Sequence, residues 1–126
     1  MTTSDFDAVR HRKELRSSLR GVNQAIPEQM KGFATLHMSA IGEGALPRKH
    51  KELMAMAIAI TQQCTDCIVL HAHDALDHGA TPEEFQEAIG VALLMGGGPA
   101  SMYATVAVHA LEQFQTAGVG LVSGTS

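Results

Sequence analysis

Tryptophan is absent from the chain, and aromatic side chains of every kind make up only 4% of its 126 residues. Sheet cores draw heavily on aromatic and β-branched side chains. Here the apolar 45% must instead pack as Ala, Leu, Ile, Val and seven Met, a palette suited to helices. Long apolar runs are missing as well. The longest, 53–60, is far too short to span a bilayer. The opening MTTSDFDAVR lacks the basic-then-apolar pattern of a secretion signal, so the expected location is cytoplasmic. Positive charge is scarce: 9 basic against 13 acidic residues give a net charge of -4, with no basic face outside Arg10–Arg20. That argues against nucleic acid as a partner. Repeats, low-complexity stretches and linkers are lacking too, so 1–126 reads as a single domain able to bury a core.

What is present is a succession of helical patterns divided by turn signals, and the expected fold is an all-α bundle of about six helices. The first pattern runs from Asp5 to about Arg20, with Val9, Leu15 and Leu19 loosely on one side. Pro27 opens the second, which passes through Met30, Phe33, Leu36, His37 and Ile41 to the breakers Gly42 and Gly44. The third begins at Leu46-Pro47 and carries Glu52; its run LMAMAIAI is apolar on all sides, which predicts a central position. Cys64 to His78 reads as the fourth, with Gly79 as its C-terminal cap. Thr81-Pro82-Glu83-Glu84 combines an N-cap, a first-turn proline and a capping box, and starts a fifth helix to about Met95. After Gly96-Gly97-Gly98-Pro99 a sixth runs to Thr116, and the tail GVGLVSGTS is expected to fray. A helix apolar on every side in so small a domain also suggests that subunits pack to bury it.

Only two cysteines occur, and they form Cys64-Thr65-Asp66-Cys67. In a reducing compartment such a pair points to redox catalysis or metal binding rather than to a structural staple. At roughly 100° per residue, Cys64, Cys67 and His71 share one stripe of a helix, and Cys67 and His71 can touch. Near a helix N-terminus both sulfurs gain from the backbone amides and the dipole, which favour thiolate. His71 can take the proton of Cys67, and Glu52 on the preceding helix can complete a relay by antiparallel packing. The expected cycle has Cys67 attacking a peroxide oxygen to give a sulfenic acid. Cys64 condenses with it to a disulfide, and an external dithiol reopens the bridge. The cysteine pair is then the redox group, and no dissociable cofactor is needed.

Glu52, eleven residues, Cys64-x-x-Cys67, three residues and His71 resemble the signature of the AhpD-like, carboxymuconolactone decarboxylase superfamily. The flanking KELMAMAIAITQQC, GATPEE and MGGGP carry the resemblance over about 46–114. It implies an all-helical fold, a homotrimer or homohexamer, and alkylhydroperoxidase-type thiol activity on a small hydroperoxide with a dithiol or lipoyl-type donor. By position it makes Cys67 the peroxide-attacking thiol and Cys64 its resolving partner, with Glu52 and His71 as proton relay. One departure stands out: the founding peroxidases carry His beside the second cysteine, where this chain has Asp66. An anionic neighbour raises a thiol's pKa.

Other readings remain open on the sequence alone. The decarboxylase branch acts on a lactone acid without a cysteine pair, so keeping both cysteines argues against it. A non-catalytic redox sensor or binding bundle would use the pair only to switch its surface. Zinc on Cys64, Cys67 and His71, with His73 or Glu52 as fourth ligand, lacks the second cysteine pair usual for structural sites. The GGGP break has no following Lys-Ser/Thr and no preceding strand, so it is a turn rather than a phosphate loop. His11, His50, His73 and His78 read as surface residues, and His37 and His109 as structural. Met54, Met56, Met95 and Met102 read as core filler.

Overall fold

The computed structural model describes residues 5–120, which form six helices and, among these residues, no strand. The helices are α1 (Ala8–Ala25), α2 (Pro27–Ile41), α3 (Arg48–Thr61), α4 (Thr65–Asp77), α5 (Pro82–Gly96) and α6 (Gly98–Thr116). Their ends follow from local chemistry. The Asp7 carboxylate caps α1 by accepting the Arg10 N–H at 3.0 Å. Gln113 of α6 closes over the same end: its Oε1 accepts the Ala8 N–H at 2.6 Å and its Nε2 donates to the Phe6 carbonyl at 2.7 Å. α1 continues past Arg20, where the apolar pattern ends, to Ala25. Its stop is set by Pro27, whose ring keeps Ile26 out of the helical region at φ -135°, ψ 67°.

The capping box forms as expected, with Glu84 N–H on the Thr81 hydroxyl at 3.1 Å and Thr81 N–H on the Glu84 carboxylate at 2.9 Å. The break between α5 and α6 is tighter than the glycine run suggests: Gly97 alone (φ 72°) separates them. Pro99 falls in the first turn of α6, where a missing N–H costs nothing. Gly96 is required by closeness, since a Cβ there would lie 2.7 Å from that of Ala100 and 3.2 Å from Thr61 Cγ2 of α3. The start of the tail is tied down rather than frayed, for Val119 N–H donates to Phe114 C=O at 3.0 Å and the side chain packs on the core. Residues 121–126 lie outside the described residues.

The core joins Leu53, Met56 and Ile60 of α3, Ile68, Val69, Ala72 and Leu76 of α4, Phe85 of α5, and Leu111 and Phe114 of α6. On α6, Ala100, Ala104, Ala107 and Ala110 form a buried small-residue seam that lets the helix approach its neighbours closely. α3 packs against α4, α5 and α6, which makes it the central helix. Its apolar run is nevertheless not enclosed on all sides: Met54 and Ile58 remain 46% and 55% exposed. The methionines divide the same way. Met56 is fully buried, whereas Met54, Met95 and Met102 are exposed and do not fill the core. α2 buries only Ile41 and leaves Phe33, Leu36 and Met38 in the open.

Candidate functional site

The turn from α3 to α4 positions the site. Gln63 adopts a left-handed conformation (φ 60°), strained for a residue with a Cβ, and reverses the chain. Cys64 N–H then returns to Ala59 C=O at 3.0 Å. α4 consequently packs along α3, and Glu52 comes alongside His71. Cys64, expected as the first residue of the helix, instead stands just outside it as N-cap, with its Sγ accepting the Cys67 N–H at 3.2 Å. A disulfide joins Cys64 to Cys67 across a Cα separation of 5.3 Å. Both cysteines are half-buried, and Cys67 packs against the core.

Glu52 is fully buried, the one charged residue so placed among the described residues. A carboxylate in such a position must be held by partners, and both of its oxygens are. Oε1 lies 2.8 Å from His71 Nδ1, and Oε2 accepts from Arg48 Nε at 3.1 Å, one turn back on α3. Glu52 takes up the Nδ1 side of the ring, so Nε2 is the nitrogen left facing away from the carboxylate. In this disulfide state no hydrogen bond joins the imidazole to either sulfur among the described residues, and an oxidised Cys67 has no proton to exchange. The His37 ring of α2 stacks at 20° on His71, with centroids 6.4 Å apart.

Three histidines expected as surface residues have partners: His73 and His78 with Asp74 of α4, and His11 with Asp66. His73 is only 15% exposed, with Nδ1 2.8 Å from the Asp74 carboxylate and its ring edge-on to Phe114. His78 Nδ1 donates to the Asp74 carbonyl at 2.8 Å. Burial pushes the Asp74 carboxyl up, but the His73 hydrogen bond and the charges of His73, Arg12 and His71 outweigh it and hold the group below its ordinary value. Glu52, His71 and Asp74 bring one ligand atom each within 4.8 Å of one another. Both Glu52 oxygens are already committed, however, and Arg48 sets a positive charge beside them. The sulfurs that a zinc site would need as thiolates are bonded to each other.

The structure thus brings together the predicted pairs Cys64–Cys67 and Glu52–His71, and adds Arg48, His37 and His11. Arg48 has a local signal, an arginine four residues before a glutamate on a helix. His37 has none. His11 of α1 places Nε2 2.7 Å from the Asp66 carboxylate inside the cysteine turn, a contact across 55 positions that no local pattern announces.

Residues 27–110 match the carboxymuconolactone decarboxylase family. The match starts earlier than the motif-based resemblance and takes in α2. A curated protein of Cupriavidus necator is 38% identical over 95 residues, covering 75% of this chain and 84% of that one. The alkyl hydroperoxide reductase AhpD of Mycolicibacterium paratuberculosis is 31% identical over 64 residues, which is 51% of this chain and 36% of that protein. Among solved structures, a carboxymuconolactone decarboxylase family protein of Legionella pneumophila superposes with a TM-score of 0.81 at 41% identity, over 85% of this chain and 96% of that one. A family protein of Thermotoga maritima follows with a TM-score of 0.74 at 29% identity, over 82% of this chain and 91% of that one. Similarity in sequence and in backbone therefore agrees with the geometry of α3 and α4: the chain belongs to the carboxymuconolactone decarboxylase family, the AhpD-like superfamily of helical proteins.

Proposed function

We propose that the protein is a thiol-dependent peroxidase of the alkylhydroperoxidase type, with the Cys64–Cys67 pair as its redox group and Glu52–His71 as its proton relay. The observation that carries this reading is a disulfide at the mouth of α4 one turn before a histidine held at 2.8 Å by a fully buried glutamate. The similarity to AhpD, and to the Thermotoga maritima protein for which a part in antioxidative response has been suggested, points the same way.

In the reduced enzyme His71 Nε2 receives the Cys67 proton, and Glu52 stabilises the imidazolium. The thiolate attacks the distal peroxide oxygen, the O–O bond breaks, and the proton on His71 leaves with the alcohol. Cys67 is then a sulfenic acid. Cys64 displaces its hydroxyl as water and forms the disulfide. A dithiol donor of the lipoyl class restores both thiols by exchange and departs as its own disulfide. The cycle requires no dissociable cofactor. The acting unit is a homotrimer or homohexamer, a reading supported by the exposed apolar residues of α2, α3 and α5.

The test is hydroperoxide consumption by purified protein with dihydrolipoamide in excess, wild type beside Cys67→Ser. The expected result is turnover that falls to the uncatalysed background in the variant while its far-UV spectrum is kept. Equal rates in the two proteins refute the cycle and favour a decarboxylase that ignores its cysteines. One reversible disulfide closure without repeated turnover marks a redox sensor.

A further inference from the structure

We propose that His11, carried on α1, is a positioning residue of the cysteine turn that holds the Asp66 carboxylate and so keeps Cys67 reactive. Asp66 adjoins Cys67 in sequence and sits in the first turn of α4. A carboxylate beside a sulfur works against the thiolate. With His11 Nε2 2.7 Å from Asp66 Oδ1, an imidazole N–H can donate to the carboxylate and draw its negative charge away from the sulfur. The same contact directs the carboxylate toward α1. His11 is itself held in place, because its ring rests against Phe6 at 6.2 Å and the Phe6 carbonyl is fixed by Gln113 of α6.

Four titratable groups around α4 face other partners. Arg12 of α1 acts on Asp74 and Asp77, His71 is bonded to Glu52 of α3, His37 of α2 stacks on His71, and His73 is bonded to Asp74. α1 thus delivers a histidine in space to the acid inside the cysteine turn, across 55 positions of sequence. The ordinary alternative is that Asp66 merely complements the helix dipole and His11 solvates it. The two differ in what reaches the sulfur.

The inference rests on the reading of Cys67 as the attacking thiol, but its test reads the thiol and not turnover, so an inactive peroxidase can still support it. In a Cys64→Ser background, which leaves one thiol, the rate of alkylation by iodoacetamide is followed against pH. Adding His11→Ala is expected to move the midpoint up by roughly half a pH unit and to slow alkylation near neutrality about threefold. His11→Lys is expected to restore the midpoint. In a background that also carries Asp66→Asn, His11→Ala is expected to have no effect. A midpoint unmoved by His11→Ala overturns the proposal, and so does a shift of the same size with Asn at position 66. Because His11 and Asp66 side chains are 37% and 54% exposed, the variants leave the core intact, and the lysine variant separates loss of the carboxylate's partner from loss of fold.

Discussion

Glu52 is the residue on which the site turns, because an anion with no access to water persists only while its partners hold it. His71 and Arg48 take one oxygen each. Arg48 therefore fixes both the position and the charge of the group that orients the imidazole. Arg48→Met keeps much of the side-chain volume but leaves Glu52 an anion with a single partner. The expected cost is roughly 2 kcal/mol in urea unfolding, less than for a fully enclosed pair because the Arg48 side chain is 28% exposed. In a Glu52→Gln background the same substitution is expected to cost little, since no buried charge remains to be left unpaired. Equal losses in both backgrounds would mean that Arg48 acts through packing of its stem rather than through charge.

At the scale of the helices, the turn into α4 couples local structure to redox state. Cys64 is at once the N-cap of the helix and half of the disulfide. Its sulfur holds the Cys67 N–H that would otherwise be an unpartnered first-turn donor. Cys64→Ser and Cys64→Ala both abolish the bridge, but only serine retains a capping oxygen. Under reducing conditions the alanine variant is expected to be the less stable by about 1 kcal/mol in urea unfolding, and coincident midpoints would assign the sulfur no capping role. This double duty also explains how much of the helix boundaries can be read from the sequence. The start of α5 is legible because Thr81, Pro82 and Glu84 each carry an independent signal at fixed offsets. The start of α4 differs by one residue from its pattern because cysteine is not a customary cap. The end of α1 escapes its pattern because the stop lies in Pro27, beyond the fading apolar stripe. Glu52–His71 can be foreseen from spacing plus antiparallel packing, whereas His11–Asp66 depends on how α1 crosses α4, which no periodicity encodes.

For the whole molecule, the distribution of apolar surface is the energetic fact that a single chain does not account for. Ile58 of α3 and Val91, Leu94 and Met95 of α5 are 55%, 58%, 79% and 77% exposed, and on α2 Phe33, Leu36 and Met38 are at least 60% exposed. Apolar exposure gathered on three helices exceeds the scattered single residues that a monomer tolerates without consequence, which makes the oligomeric state the property to measure. Ile58 and Met95 line one shallow groove with Val91, so an added charge there meets any partner surface directly. Sedimentation equilibrium of the wild type is expected to give a multiple of the 13.4 kDa chain, a trimer or hexamer. Ile58→Glu combined with Leu94→Glu is expected to shift the mass toward a single chain with helicity retained, because a carboxylate desolvated without a partner costs more than the contact contributes. A wild type already sedimenting as a monomer removes the basis for reading these faces as interfaces. A double variant that stays oligomeric moves the interface to α2, where Phe33→Glu and Leu36→Glu provide the corresponding test.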